Sequence, residues 1–139
     1  MSAVLIASIT ELCASDHRND PEAIARWTAN KSPAGVLAML DDAELTMLVA
    51  ERDGAVVAVG AVRGAEVALN YVAPQARRSG VSKALLGAME AHMRAQGVTQ
   101  AHLTSTYTAA DFYRAMGWTA DAAPVACMGG TGLAMHKPL

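Results

Sequence analysis

Apolar and polar positions change period several times along this chain, and each change marks an element. Residues 45–50 and 55–62 are β-rich apolar runs on either side of Glu51-Arg52-Asp53-Gly54. An Asp-Gly pair between two such runs predicts a hairpin. After Arg63-Gly64, the stretch Glu66 to Val72 alternates: Val67, Leu69 and Tyr71 point one way, and Glu66, Ala68, Asn70 and Val72 the other. Upstream the period is helical. Asp20-Pro21 and Ser32-Pro33 each place a capping residue before a proline at the first helical position. The first predicts a helix through Asn30 with Ile24 and Trp27 on one side; the second predicts a shorter helix with Val36, Leu37 and Leu40 inward. Residues 4–13 fit two periods. Leu5, Ile9 and Leu12 share a helical face, although Val4-Leu5-Ile6 also suits a strand start, and helix is the preferred reading.

Downstream, Val81, Leu85, Ala88 and Met89, then His92 or Met93, recur at helical spacing and end at Gly97, a suitable C′ residue. Residues 101–106 read as a strand, 109–118 as a helix and 132–139 as a closing strand. Residues 120–130 carry no assignable pattern.

At 139 residues the chain is expected to form a single domain over 1–139. Hydrophobic residues make up 53% but aromatics only 4%, so the expected core is built from Ala, Val, Leu and Met. A net charge of −2 leaves no broad basic surface for nucleic acid. Cys13 and Cys127 stand far apart with no metal-ligand spacing, and free thiols in a reducing compartment are the expectation. Isolated His92, His102 and His136 likewise suggest no metal site. The N-terminus lacks a basic leader pattern, and no uncharged window reaches the ~20 residues needed to span a bilayer. The expected location is the cytoplasm, without membrane attachment.

Chemistry concentrates between Tyr71 and Leu86. An apolar strand breaks at Pro74, passes through a basic loop of small residues and enters a helix at about Gly80. Such a turn aims unpaired backbone N–H groups and the positive end of the helix dipole in one direction. Arg77, Arg78 and Lys83 add charge, and Gly80 lets a ligand approach the backbone. Together these predict a phosphate or pyrophosphate cradle. Neither a P-loop nor a dinucleotide fingerprint is present, because the required glycines are missing.

The stretch resembles the acyl-CoA loop of the GCN5-related N-acetyltransferases (GNAT): Val72, Pro74, Arg77, Gly80 and the run Ala84-Leu85-Leu86 match, while Ser82 stands where glycine or alanine is usual. A second motif, A-x-x-F-Y-x-x-x-G-[FYW], matches Ala109, Phe112, Tyr113, Gly117 and Trp118. The two motifs come in family order, separated by a helix and a strand, and the resemblance covers residues 45–139. It implies an α/β (α+β) fold: a mixed, mostly antiparallel twisted sheet flanked by helices, whose fourth and fifth family strands splay apart.

The resemblance further implies transfer of an acetyl group from acetyl-CoA to a primary amine of a small molecule or peptide, in a ternary complex and without a metal. Tyr113 matches the family's general acid, and Glu66 is the candidate base. Tyr71 and Val72 would line the pantetheine arm, and the backbone from Arg77 through Arg78, Ser79, Gly80, Val81, Ser82 and Lys83 would hold the diphosphate. Asn70 is a substrate-side candidate. Asp41, Asp42 and Glu44 offer negative charge to a cationic amine. His17 stands near the expected acceptor mouth, and Cys127 as a nucleophile lacks a partner base. An Ala-rich surface would permit a homodimer. The alternative reading is a non-catalytic acyl-CoA sensor, which would bind the thioester without turnover.

Overall fold

The computed structural model describes residues 1–127 and 130–139. Helices α1 (Ser2–Leu12), α2 (Ala14–His17), α3 (Pro21–Thr28) and α4 (Pro33–Asp41) come first. Strands β1 (Leu45–Arg52), β2 (Ala55–Arg63) and β3 (Glu66–Val72) lead to α5 (Val81–Ala95). Then come β4 (Gln100–Ser105), α6 (Ala110–Ala115), β5 (Thr119–Cys127) and β6 (Gly130–Pro138). The expected elements are present, and of residues 4–13 all but Cys13, which ends α1, are helical.

The six strands form one sheet in the order β1-β2-β3-β4-β6-β5. It consists of two antiparallel halves, β1-β2-β3 and β4-β6-β5, joined by a parallel β3–β4 pairing. That pairing is confined to Glu66 opposite His102, next to a 2.9 Å bond from the His102 N–H to the Ala65 carbonyl. Beyond it β3 and β4 diverge, as expected of a splayed sheet. The β1–β2 hairpin closes through Asp53 and Gly54, both at positive φ, the geometry that matches strand twist in a two-residue turn.

Helix α5 lies against β1, β2 and β3, and α1 packs on β2 and β3. At Gly60 on β2 a Cβ would meet the Met89 sulfur at 2.7 Å, so the missing side chain sets how closely α5 seats. The inward face of α5 is Val81, Leu85, Leu86, Met89, Glu90 and Met93. Ala88, expected inward, is exposed, because the buried stripe runs one residue further round. Leu37 and Leu40 are also solvent-facing, at 61% and 48% exposure. The edge strand β1 is the main support of α4, so only a narrow stripe around Val36 is covered.

Glu90 is buried at 6% exposure yet fully partnered. Both its carboxylate oxygens accept from Lys137 Nζ at 3.0 Å, and one accepts from Trp118 Nε1 at 3.0 Å. Lys137 also donates to the Met116 carbonyl at 2.7 Å. This cluster ties α5 to β6 and to the turn after α6. It thereby fixes the helix that carries Tyr113. Strand β5 escaped sequence pattern because it is a mostly exposed edge containing Pro124, with a register shift between Ala120 and Pro124.

Candidate active site

The divergence of β3 and β4 opens a cavity of about 400 Å³. Its walls are Val67 to Val72 on one strand and Leu103 to Thr106 on and after the other. Beyond Glu66 no β3 residue pairs with β4, so the inner edge of β3 presents backbone hydrogen-bonding groups to the cavity.

One end of the cavity is closed by the loop into α5, through Arg77, Arg78, Gly80 and Ser82. A short 3₁₀ turn at Pro74–Ala76 starts the loop, and Arg78 and Gly80 take left-handed conformations at φ 60° and 82°. No side chain caps α5, so the amides of its first turn have no intrahelical or capping partner. Ser79 is spent elsewhere: its hydroxyl donates to the Ala76 carbonyl and accepts from Arg52 at 3.1 Å. The Val81 side chain enters the core, and Lys83 is exposed. Of the loop residues nominated from sequence, Arg77, Arg78, Gly80 and Ser82 therefore reach the cavity, and Ser79, Val81 and Lys83 do not line it.

At the middle, Tyr113 and Asn70 meet across the cleft, with Asn70 Nδ2 donating to the Tyr113 hydroxyl at 3.0 Å. That bond uses the phenol oxygen as acceptor and leaves its own proton free to donate. Burial pushes the Tyr113 pKa up to about 12, against a smaller lowering by the Asn70 bond. The phenol therefore stays protonated across ordinary pH. Tyr113 packs edge-on to Phe112 and Trp118, which holds its ring in place.

On the other sheet face, Trp27 Nε1 donates to the Tyr71 hydroxyl at 3.0 Å, and Ile9, Cys13 and Trp27 form a small core beneath it. Burial raises the Tyr71 pKa as well. Cys13 and Cys127 are free thiols on the cavity wall. Burial and the neighbouring Asp16 carboxylate push Cys13 up to about 12, and the same causes raise Cys127. Both are held as thiols and are poor nucleophiles.

Glu66 stands apart. It is half-buried at the closed end of the cleft, and six residues at ~3.3 Å each separate it from Val72. It does not line the cavity, and among the described residues no carboxylate or imidazole does. The acidic trio 41–44 is likewise remote from it, with Asp42 paired to Arg63 at 2.8 Å. Trp27, Cys13, Ser8 and Phe112 line the cavity without having been singled out as site residues from sequence.

A smaller cavity of about 220 Å³ adjoins the first and shares Trp27, Thr106 and Cys127 with it. Asp16 stands beside both. One of its oxygens accepts from the Tyr107 and Thr108 N–H groups at 3.0 and 3.4 Å, and the other from the Thr108 hydroxyl. His17 is spent internally, with Nε2 donating to the Ile9 carbonyl at 2.8 Å and Nδ1 accepting from the Asn19 N–H at 3.0 Å. Among the described residues, no group of three or more His, Cys, Asp and Glu side chains converges on a metal-sized space, and no helix is long and apolar enough to cross a membrane.

The family model for the acetyltransferase (GNAT) domain matches residues 14–139. A GCN5-related N-acetyltransferase from Rhodopseudomonas palustris superposes with a TM-score of 0.86 at 26% identity, covering 99% of this chain and 87% of its own. The PaiA N-acetyltransferase of Thermoplasma acidophilum, solved in complex with coenzyme A, gives 0.80 at 18% identity, covering 99% and 92%. The ribosomal-protein-S18-alanine N-acetyltransferase of Escherichia coli gives 0.60 at 17% identity, covering 74% of each chain. No curated protein sequence matches. Over nearly its whole length, and with its six-stranded sheet splayed between β3 and β4, the chain belongs to the GNAT acetyltransferase family.

Proposed function

We propose that this protein transfers an acetyl group from acetyl-CoA to a primary amine within the β3–β4 cleft. The observation that carries this reading is one continuous cavity with an uncapped helix N-terminus at one end and a proton-bearing phenol at its centre.

The residues fit the coenzyme. The first-turn amides of α5 have no competitor for an anion, and Gly80 leaves open space above the backbone. Arg77 and Arg78 add charge beside them. The unpaired edge of β3 at Asn70 to Val72 can bond an extended amide-bearing arm as a sheet neighbour would. When bound, acetyl-CoA supplies an activated thioester, whose acyl transfer releases a thiolate in need of a proton.

Tyr113 is the proton donor in this reading. Asn70 occupies an oxygen lone pair, which turns the phenol hydrogen away from itself and into the cleft. A backbone N–H near Val72 is the candidate oxyanion donor. Glu66 does not line the cavity, so in this reading the amine loses its proton to water before or during attack. Ser105 and Thr106 line the cavity, the Ser105 hydroxyl donating to the Thr106 carbonyl at 2.6 Å and the Thr106 hydroxyl accepting from the Ala109 N–H at 3.3 Å.

Calorimetry with acetyl-CoA tests the cradle, comparing wild type with Gly80→Glu. Binding that disappears in the variant while its fold persists supports the reading, and no binding by the wild type overturns it. Release of free thiol with an amine panel then separates catalysis from binding alone. Binding without any turnover would favour a sensor.

A further inference from the structure

The smaller cavity has a charge pattern that the coenzyme site does not need. Arg18 and Arg26 line it, and neither guanidinium has an ion-pair partner among the described residues. Its two carboxylates are already engaged: Asp20 caps α3 by accepting from the Glu22 N–H at 3.1 Å, and Asp16 holds the Tyr107–Thr108 backbone. The cavity therefore carries charge of both signs: its carboxylates hold backbone N–H groups, and its two guanidiniums are left without an ion-pair partner among the described residues.

Its placement is fixed by the fold. Arg18 and Asn19 both take left-handed backbone at φ 55°, which costs ordinary residues about 1–2 kcal/mol each. Bonds from the Arg18 N–H to the Ala14 carbonyl at 2.7 Å and from the Asn19 N–H to His17 Nδ1 hold the turn. His17 is itself anchored on Ile9, so a buried ring presets the turn that carries Arg18. Arg26 comes to the same cavity from α3, one residue before the Trp27 that both cavities share.

We propose that the acceptor amine carries a carboxylate, and that Arg18 and Arg26 hold this carboxylate in the side cavity while the amine passes Trp27 and Cys127 into the main one. This rests on the acetyltransferase reading above. Asp16, at the junction, sets the direction of entry: it repels the carboxylate and favours the ammonium end before that end loses its proton. A volume of about 220 Å³ suits a short amino acid.

The test uses ω-amino acids from glycine to 6-aminohexanoate, their amides, and alkylamines of equal length, with thiol release at saturating acetyl-CoA. The best amino acid should exceed its amide by about 10-fold in kcat/KM, the order set by one charge-assisted contact. Arg18→Gln combined with Arg26→Gln should bring that ratio close to one while leaving alkylamine turnover unchanged. Equal rates for acid and amide in the wild type, or a ratio unmoved in the variant, would overturn the proposal. A second readout needs no turnover: N-acetyl-ω-amino acids titrated against the combined fluorescence of Trp27 and Trp118. A saturable change that needs both arginines supports the carboxylate site, and no change in the wild type rejects it. Acetyl-CoA calorimetry on the same samples reports separately on the acetyltransferase reading.

Discussion

Two kinds of helix N-terminus occur in this molecule. Helices α3 and α4 start with side chains that satisfy their own first-turn amides: Asp20 accepts from Glu22 and Ser32 from Gly35, each followed by proline. Helix α5 starts with Gly80 in a left-handed conformation and has no cap. The first two ends are complete within the chain, whereas the third leaves donors aimed at a cavity. A cap is worth about 1 kcal/mol to a helix, and omitting one is tolerable only if other contacts hold the element. Those contacts are the α5 packing of Leu85, Leu86, Met89 and Met93 under the sheet and the buried Glu90–Lys137 pair. The core contacts of α5 and its uncapped N-terminus thus lie on different parts of one helix.

The largest expected effect comes from filling the open end. Ser82 is the second residue of α5, where a negative charge favours the helix dipole. Ser82→Glu should leave the melting temperature unchanged or slightly raised, yet weaken acetyl-CoA binding by at least ~100-fold, since a carboxylate would occupy the space and charge of the proposed diphosphate site. Calorimetry beside a thermal melt reads both. Gly80→Glu is the less clean partner, because a side chain at φ 82° adds a backbone cost of about 1–2 kcal/mol. If Ser82→Glu keeps wild-type affinity, the contrast between the helix ends has no functional meaning.

Next is the phenol at the centre of the cleft. Tyr113→Phe should lower kcat by about 100-fold, the lower end for a lost proton donor, with acetyl-CoA affinity unchanged. Because its pKa is raised to about 12, Tyr113 should produce no alkaline fall in kcat up to pH 10. Its effect on stability has the opposite reach. A phenol titrating near 10 when unfolded and near 12 when folded favours the native state fully below pH 10, and that contribution is lost as pH rises from 10 through 12. Melts between pH 9 and 12 should therefore fall less steeply for Tyr113→Phe than for wild type. An equally steep or steeper fall would mean the phenol is not protected by burial.

The same contrast explains what was legible in the sequence. Gly80, Pro74 and the small residues around them stand out because backbone geometry restricts what can occupy those positions, and Phe112-Tyr113 stands out because aromatics are scarce here. The acceptor side has no such local constraint. Trp27, Cys13 and Cys127 come from three distant segments and converge only through packing of α1 and α3 on β3 and closure of β5 on β6. Strand β5 offered no alternation because it buries no full face. Glu90 could have been noticed: it sits four residues after Leu86 and three before Met93, an inward position that an ionised residue occupies only with a partner. Which partner, Lys137, is a tertiary fact. Glu66 was attractive through its strand and face; the place of the β3–β4 pairing at Glu66 and His102, which locates the closed end of the cleft, is not written in that strand.

The smallest effect belongs to a completed helix end. Ser32→Ala removes the side chain that accepts from the Gly35 N–H at 3.1 Å, at an exposed position remote from both cavities. The loss should be about 1 kcal/mol, or about 4 °C in the melting temperature for a domain of this size. Acetyl-CoA affinity and turnover at 25 °C should stay within twofold of wild type. Asp20→Ala removes an equivalent cap, but Asp20 also lines the side cavity, so its effects on stability and acceptor use would be mixed. Ser32 is therefore the clean control. A loss of affinity in Ser32→Ala would mean that α4 is coupled to the cleft through β1, and that the completed and open helix ends do not act independently.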